Sequence, residues 1–138
     1  RGQKLVDHER LPMWHRIQAD GQIRYRPNAD HPAFADFAES LPPDLRRGFF
    51  NCVSLVGASL PIETLFADMA GTAEQIVPDQ VDEDALSQAV QAVLTRMLEG
   101  KKDMKEINAL MKDNDPFRSA WEDTQRIIAA TIQTKEDK

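Results

Sequence analysis

Cys52 is the one side chain in this sequence that could serve as a thiolate nucleophile, and it would need a base such as His31 beside it and access to solvent. Its surroundings argue otherwise. Leu45, Phe49, Val53, Val56 and Leu60 flank it at helical spacing in the most apolar stretch of the chain, where a free thiol is expected as an inert core residue. Metal chemistry has no better footing: His8, His15 and His31 are the only imidazoles, none lies one helical turn from another, and Cys52 has no second thiol. Gly2, Gly21, Gly48, Gly57, Gly71 and Gly100 are never closer than nine residues, so no phosphate-cradling loop exists. Asp82, Glu83 and Asp84 are adjacent acids before a periodic apolar run, the pattern of helix N-terminal charge rather than of a general acid and base. The sequence therefore assigns no catalytic, cofactor-binding or metal-ligating residue.

The least ordinary local chemistry lies in residues 13–27, MWHRIQADGQIRYRP. Asp20-Gly21 between two alternating stretches predicts a tight β-hairpin, because glycine takes the positive φ that such turns need. A two-residue loop would set Ile17 opposite Arg24 and Ile23 opposite Gln18, mixing apolar with polar on both faces. A three-residue loop of Ala19, Asp20 and Gly21 instead pairs Ile17 with Ile23 and His15 with Tyr25, gathers one apolar face, and is the expected register. It leaves Trp14, Arg16, Arg24 and Arg26 together on the other face. One large aromatic with three guanidinium groups suits a protein hot spot or a stacking platform for single-stranded nucleic acid. The plainer reading is that Trp14 covers a helix and the arginines pair with the acidic middle of the chain, since strand-facing arginines are often simply solvated or stacked on aromatics.

The elements that must hold this face are helical. Asp30 and Pro32 open a first helix with Phe34, Phe37 and Ala38 on one side, and Pro42-Pro43 ends it and begins another. That second helix carries Leu45, Phe49, Cys52, Val53, Val56 and Leu60 in one stripe widened by Phe50 and Leu55, so it is expected to be central and buried. Pro61 forces a break before a short helix of Ile62, Leu65, Phe66 and Met69 that ends at Gly71. A polar stretch, residues 72–84, reads as a surface loop. Leu86, Ala89, Val90, Val93, Leu94, Met97 and Leu98 then define a strongly periodic helix up to Gly100. Another follows from Asp103 with Met104, Ile107, Leu110 and Met111 inward, and a last one from Asp115-Pro116 with Phe117, Trp121, Thr124, Ile127, Ile128 and Ile132 inward. The tail beyond residue 133 is expected to fray.

Together these give a mainly α protein of the α+β class, an N-terminal β-hairpin packed on a bundle of about five to six helices. The expected organisation is a single domain over residues 1–138: a hairpin at 12–28, a helical segment at 30–71, an acidic loop at 72–84 and a helical bundle at 85–133. Length and composition agree: 138 residues suit one core, and 41% apolar with 29% charged residues fits neither disorder nor a fibre. No apolar run reaches the roughly 18 to 20 residues of a membrane span, no signal sequence opens the chain, and a lone cysteine fits a reducing compartment, so the expected location is cytoplasmic. A start at Arg1 rather than Met suggests a fragment of a longer protein.

The net charge of −6 is unevenly spread. Residues 1–30 hold six Lys/Arg against four Asp/Glu, residues 31–100 three against eleven, and residues 101–138 eight against eight. Non-specific binding to phosphate backbones needs clustered Lys and Arg, so a nucleic-acid role survives only for the locally basic hairpin.

Trp14-His15, Asp20-Gly21-Gln22-Ile23-Arg24-Tyr25-Arg26 and Asn28-Ala29-Asp30-His31-Pro32-Ala33-Phe34 form a pattern of tryptophan, turn, apolar strand and N-x-x-H-P-x-F. It resembles the region that follows the ATPase part of bacterial GHKL-type ATP-binding proteins, relatives of gyrase, histidine-kinase and mismatch-repair ATPases. Leu60-Pro61-Ile62-Glu63-Thr64-Leu65-Phe66-Ala67-Asp68 is similar to a second stretch there, and Asn114-Asp115-Pro116-Phe117 is a weaker third likeness. The resemblance implies a C-terminal accessory domain of an ATP-driven bacterial protein, encoded near restriction or phage-defence genes. The family's asparagine box and glycine-rich lid would lie upstream, so no catalytic or cofactor role carries over. Asn28, His31 and Pro32 match its most recognisable positions and read physically as the structural turn from hairpin to helix.

The expected function is a non-catalytic interaction or self-association domain, with a protein partner or a second copy of the chain as its ligand and no membrane role. The apolar faces of residues 86–98, 104–111 and 117–132 are expected to exceed what a small core needs, leaving an interface. A nucleic-acid contact module using the hairpin is the alternative, and a small hydrolase using Cys52 or carboxylates comes last.

Overall fold

The computed structural model describes residues 3–4 and 11–136; His8, Gly2 and residues 137–138 of the tail lie outside the described residues. Strands β1 (Gln3–Lys4), β2 (Trp14–Ala19) and β3 (Gln22–Pro27) form an antiparallel sheet in that order. Six helices follow: α1 (Pro32–Glu39), α2 (Pro43–Ala58), α3 (Ile62–Thr72), α4 (Glu83–Glu99), α5 (Met104–Lys112) and α6 (Trp121–Glu136). The molecule is thus an α+β fold with an N-terminal hairpin beside a helical bundle.

The hairpin corrects the expected register. Its loop has two residues, Asp20 at φ 52° and Gly21 at φ 75°, and the strands pair Trp14 with Pro27, Arg16 with Tyr25, Ile17 with Arg24 and Gln18 with Ile23. Two consecutive positive φ values make a turn whose twist matches that of the flanking strands, and this outweighs the gain from pairing Ile17 with Ile23. An apolar-face argument decides register only where one face is buried. Here Ile23 and Tyr25 are each 49% exposed.

Asn28 and His31 fasten the hairpin to α1. Asn28 Nδ2 donates to the Pro12 carbonyl at 2.9 Å, its Oδ1 accepts from the Asp30 amide, and its own amide donates to the Met13 carbonyl. His31 caps α1 by accepting from the Ala33 amide at Nδ1, 3.0 Å away, and Pro32 fills the first helical position, where no amide partner is needed. The His31 ring is fully buried, and burial lowers its pKa from 6.5 to about 4. A neutral ring is also what the cap requires, because Nδ1 must accept.

The core lies in α4, α5 and α6. Leu86, Val90, Val93 and Leu94 of α4 meet Ile107 and Met111 of α5, Ile127 and Ile128 of α6, and Phe117 and Leu11 from the connecting chain. Each helix is well capped where the sequence places an acid: Asp82 accepts from the Asp84 and Ala85 amides, and Asp103 from the Glu106 amide. The last helix begins later than expected, at Trp121. Residues 115–120 are turns, in which Asp115 accepts from the Ser119 amide and pairs with Arg118 at 2.8 Å. Partial burial works against that carboxylate, but the hydrogen bonds from Arg118 and Ser119 hold it below its usual value. Helix α6 continues through Glu136, so residues 134–136 are helical rather than frayed.

Two further expectations are corrected. Helix α2 is peripheral instead of central: Gly57 is its only buried residue, and Cys52 is exposed. The faces of residues 86–98, 104–111 and 117–132 are largely consumed by the core they share, so they leave no broad interface. The surplus apolar surface sits on α2 and α3 instead. The stretch 72–84 also starts differently, with helix through Thr72 and a turn of 3-10 helix at Ala73–Gln75. No single described helix is long and apolar enough to cross a membrane; α2 and α3 reach that length and apolarity only as a pair bent by 46°.

Candidate interaction surface

Helix α2 lies along the free edge of β3. Gly57 makes the approach possible, since a Cβ there would stand 2.7 Å from Cγ of Pro27. Phe50, Val53 and Gly57 face the hairpin, while Phe49 packs on Phe34 and Phe37 of α1 with ring centroids 6.1 and 5.2 Å apart. Arg46 completes the attachment by donating from Nε to the Ala38 carbonyl at 2.9 Å and from Nη2 to the Leu41 carbonyl at 3.1 Å, which ties α2 to the end of α1 and the turn after it. Between β3 and α2 a groove of about 580 Å³ remains open, lined by Ile23, Tyr25, Phe50 and Leu60 among others.

The side of α2 turned away from the hairpin carries Leu45, Gly48, Cys52, Leu55, Val56 and Ser59, all exposed. This spacing of three and four residues is that of a helix seam, yet no part of the chain covers it among the described residues. Helix α3 has no buried residue at all, and Ile62, Phe66 and Met69 stand out from it, Phe66 at 75% exposure. Val77, in the loop beyond, is also 75% exposed.

The four hairpin residues expected to share a face are split by the corrected register. Trp14 and Arg16 stand with Ile23 and Tyr25 on one side, and Arg24 and Arg26 stand with His15 and Ile17 on the other. Arg16 donates to Gln18 at 3.3 Å and Arg24 to Gln22 at 2.9 Å. Tyr25 is the residue that sequence reasoning missed, and the signal was present, because Asp-Gly is the preferred pair for a two-residue turn. For α2 and α3 the available signal was subtler: α2 is apolar around more of its circumference than its neighbours can cover.

Chemistry other than binding gains nothing from the geometry. The Cys52 thiol has no hydrogen-bonded base among the described residues, and His31 is buried in its cap. Among the described residues no group of three or more His, Cys, Asp or Glu side chains is placed to hold a metal ion. Comparison with protein-family models, with curated proteins and with solved structures found no match.

Proposed function

We propose that this chain is a non-catalytic interaction domain that binds protein through the exposed apolar surface of α2 and α3. One observation carries the reading: Leu55, Val56, Ile62, Phe66, Met69 and Val77 are each more than half exposed on consecutive elements. Apolar area on that scale is unusual on a lone soluble domain and marks a contact surface. The N-x-x-H-P-x-F turn and the leucine-proline start of α3 support placing the domain after a GHKL-type ATPase part in a bacterial, cytoplasmic protein of phage defence. On that reading the domain itself needs no cofactor, and nucleotide chemistry belongs to the other part.

The test is a photoreactive amino acid in place of Phe66, with exposed Gln125 of α6 as control, irradiated in cells that make the protein. The expected result is a covalent protein adduct at position 66 and none at 125. Irradiation that yields no adduct at 66 overturns the reading.

A second reading is favoured by the corrected register, which sets Trp14 and Tyr25 on one exposed face with Arg16. Two aromatics and a guanidinium could stack single-stranded nucleic acid. Fluorescence anisotropy with single-stranded DNA at low salt decides it: binding must appear, weaken with salt and vanish in Trp14→Ala.

A further inference from the structure

The α2–α3 pair carries its own complement. Between residues 43 and 77 the only cations are Arg46 and Arg47, in the first turns of α2, and the acids beyond Asp44 are Glu63, Asp68 and Glu74, all on the far side of the bend. Neither Arg47 nor any of these three carboxylates has an ion-pair partner among the described residues. The pair thus holds its two cations at the start of α2 and its unpaired acids along α3, with Glu74 at the far end.

Its two limbs also match in length. Helix α2 has 16 residues, and α3 has 11 followed by 3 of 3-10 helix, so each limb runs about 20 to 24 Å from the bend. A two-fold axis through a bent pair of equal limbs, along the bisector of the 46° bend, lays the first limb of one copy antiparallel on the second limb of the other. With the axis at Leu60, Arg46 falls opposite Glu74 of the second copy and Arg47, the arginine not engaged with α1, opposite Ala73 one residue from it, Cys52 opposite Asp68, and Leu55 opposite Leu65. In the parallel alternative Arg46 and Arg47 of the two copies would face each other.

We propose that this surface is a homodimer interface in which the α2–α3 pairs of two copies of the chain pack antiparallel about a two-fold axis at the bend. The proposal rests on the protein-binding reading above and names its partner. The face of α2 opposite the hairpin fits the role, because Leu45, Leu55 and Val56 would be covered while Gly48 and Cys52 let the partner helix come close. A lipid surface fits less well. The bend interrupts a span, and Glu63, Asp68 and Glu74 would be repelled by anionic headgroups without one cation on α3 to offset them.

Sedimentation velocity of the chain across a wide concentration range should show a monomer–dimer equilibrium. Arg47→Glu and Glu74→Arg should each weaken the dimer at least tenfold, and the double variant should return to within about threefold of the parent, since the swap restores opposite charges across the interface. Leu55→Asp should abolish it, with circular dichroism showing unchanged helix because Leu55 is 65% exposed. A monomer at every concentration overturns the proposal, as does a dimer indifferent to Arg47→Glu or a double variant no better than the singles. Co-sedimentation with phosphatidylserine–phosphatidylcholine vesicles in place of dimerisation overturns it too. A monomer whose photoreactive residue 66 still captures a different protein defeats the dimer while leaving the interaction reading standing; a chain that captures nothing defeats both.

Discussion

Helices α4 and α2 look alike as apolar segments, yet Val90, Val93 and Leu94 of α4 have no exposed surface while Leu55 and Val56 of α2 are mostly open to solvent. The difference lies in their neighbours. Helix α4 has α1 on one side and α6 on the other, with α5 closing the cluster, and its capping acids and polar outer face leave one way to bury it. Helix α2 has a hairpin and a short helix on one side and, among the described residues, no element on the other. Apolar composition says that a surface is costly to expose, and the topology decides whether anything in the same chain can cover it.

That contrast can be broken by mutation. Phe117→Ala, which empties a site with no exposed surface, should cost about 3–5 kcal/mol in chemical denaturation. A cost below about 1 kcal/mol would mean that the α4–α6 cluster is not the main core.

Acid should weaken the junction between hairpin and bundle next. His31 has its folded-state pKa lowered to about 4 from 6.5, so the unfolded chain takes the proton first as pH falls. Stability is complete above 6.5 and is lost between 6.5 and about 4, by up to about 3 kcal/mol. Denaturation curves over this range should show the slope, and His31→Asn, which can still cap but cannot titrate, should remove it.

The two sides of α2 are separated by a pair of glycines. Gly57→Ala drives a methyl against the Pro27 ring and should destabilise by about 1–3 kcal/mol. Gly48→Ala meets nothing within 4 Å and should stabilise the monomer by up to about 1 kcal/mol through helix propensity. Thermal melts at a concentration below dimerisation check both signs, and a loss from Gly48→Ala would mean that the outer side of α2 is already covered. The smallest effect is expected at Phe66, where Ala should change monomer stability by no more than about 0.5 kcal/mol, because the residue is 75% exposed.

Much of this organisation was legible in the residues. Asp82, Asp103 and Gly100 marked helix ends because capping is local chemistry, and the inward residues of α4 and α5 followed from periodicity alone. The hairpin existed as expected, but its register did not, since Ile17 and Ile23 were assumed to need a shared buried face while the turn geometry of Asp20-Gly21 had the stronger preference. Cys52 failed for a different reason. Its burial depended on elements distant in sequence, and local spacing shows that a helix is apolar without showing who stands beside it. The start of α6 was misplaced because Asp115-Pro116-Phe117 carries cap-like residues that the chain spends on a tight turn bringing Phe117 into the core.

The outer edge of β3 constrains how the molecule can assemble. A sheet with an unpaired edge invites another strand to dock, and repeated docking grows fibrils without limit. On this edge Pro27 has no amide to donate, Arg24 and Arg26 place charge along it, and α2 stands beside its far end. Strand addition is obstructed along this edge, so the exposed apolar surface of α2 and α3 is not coupled to open-ended growth through β3.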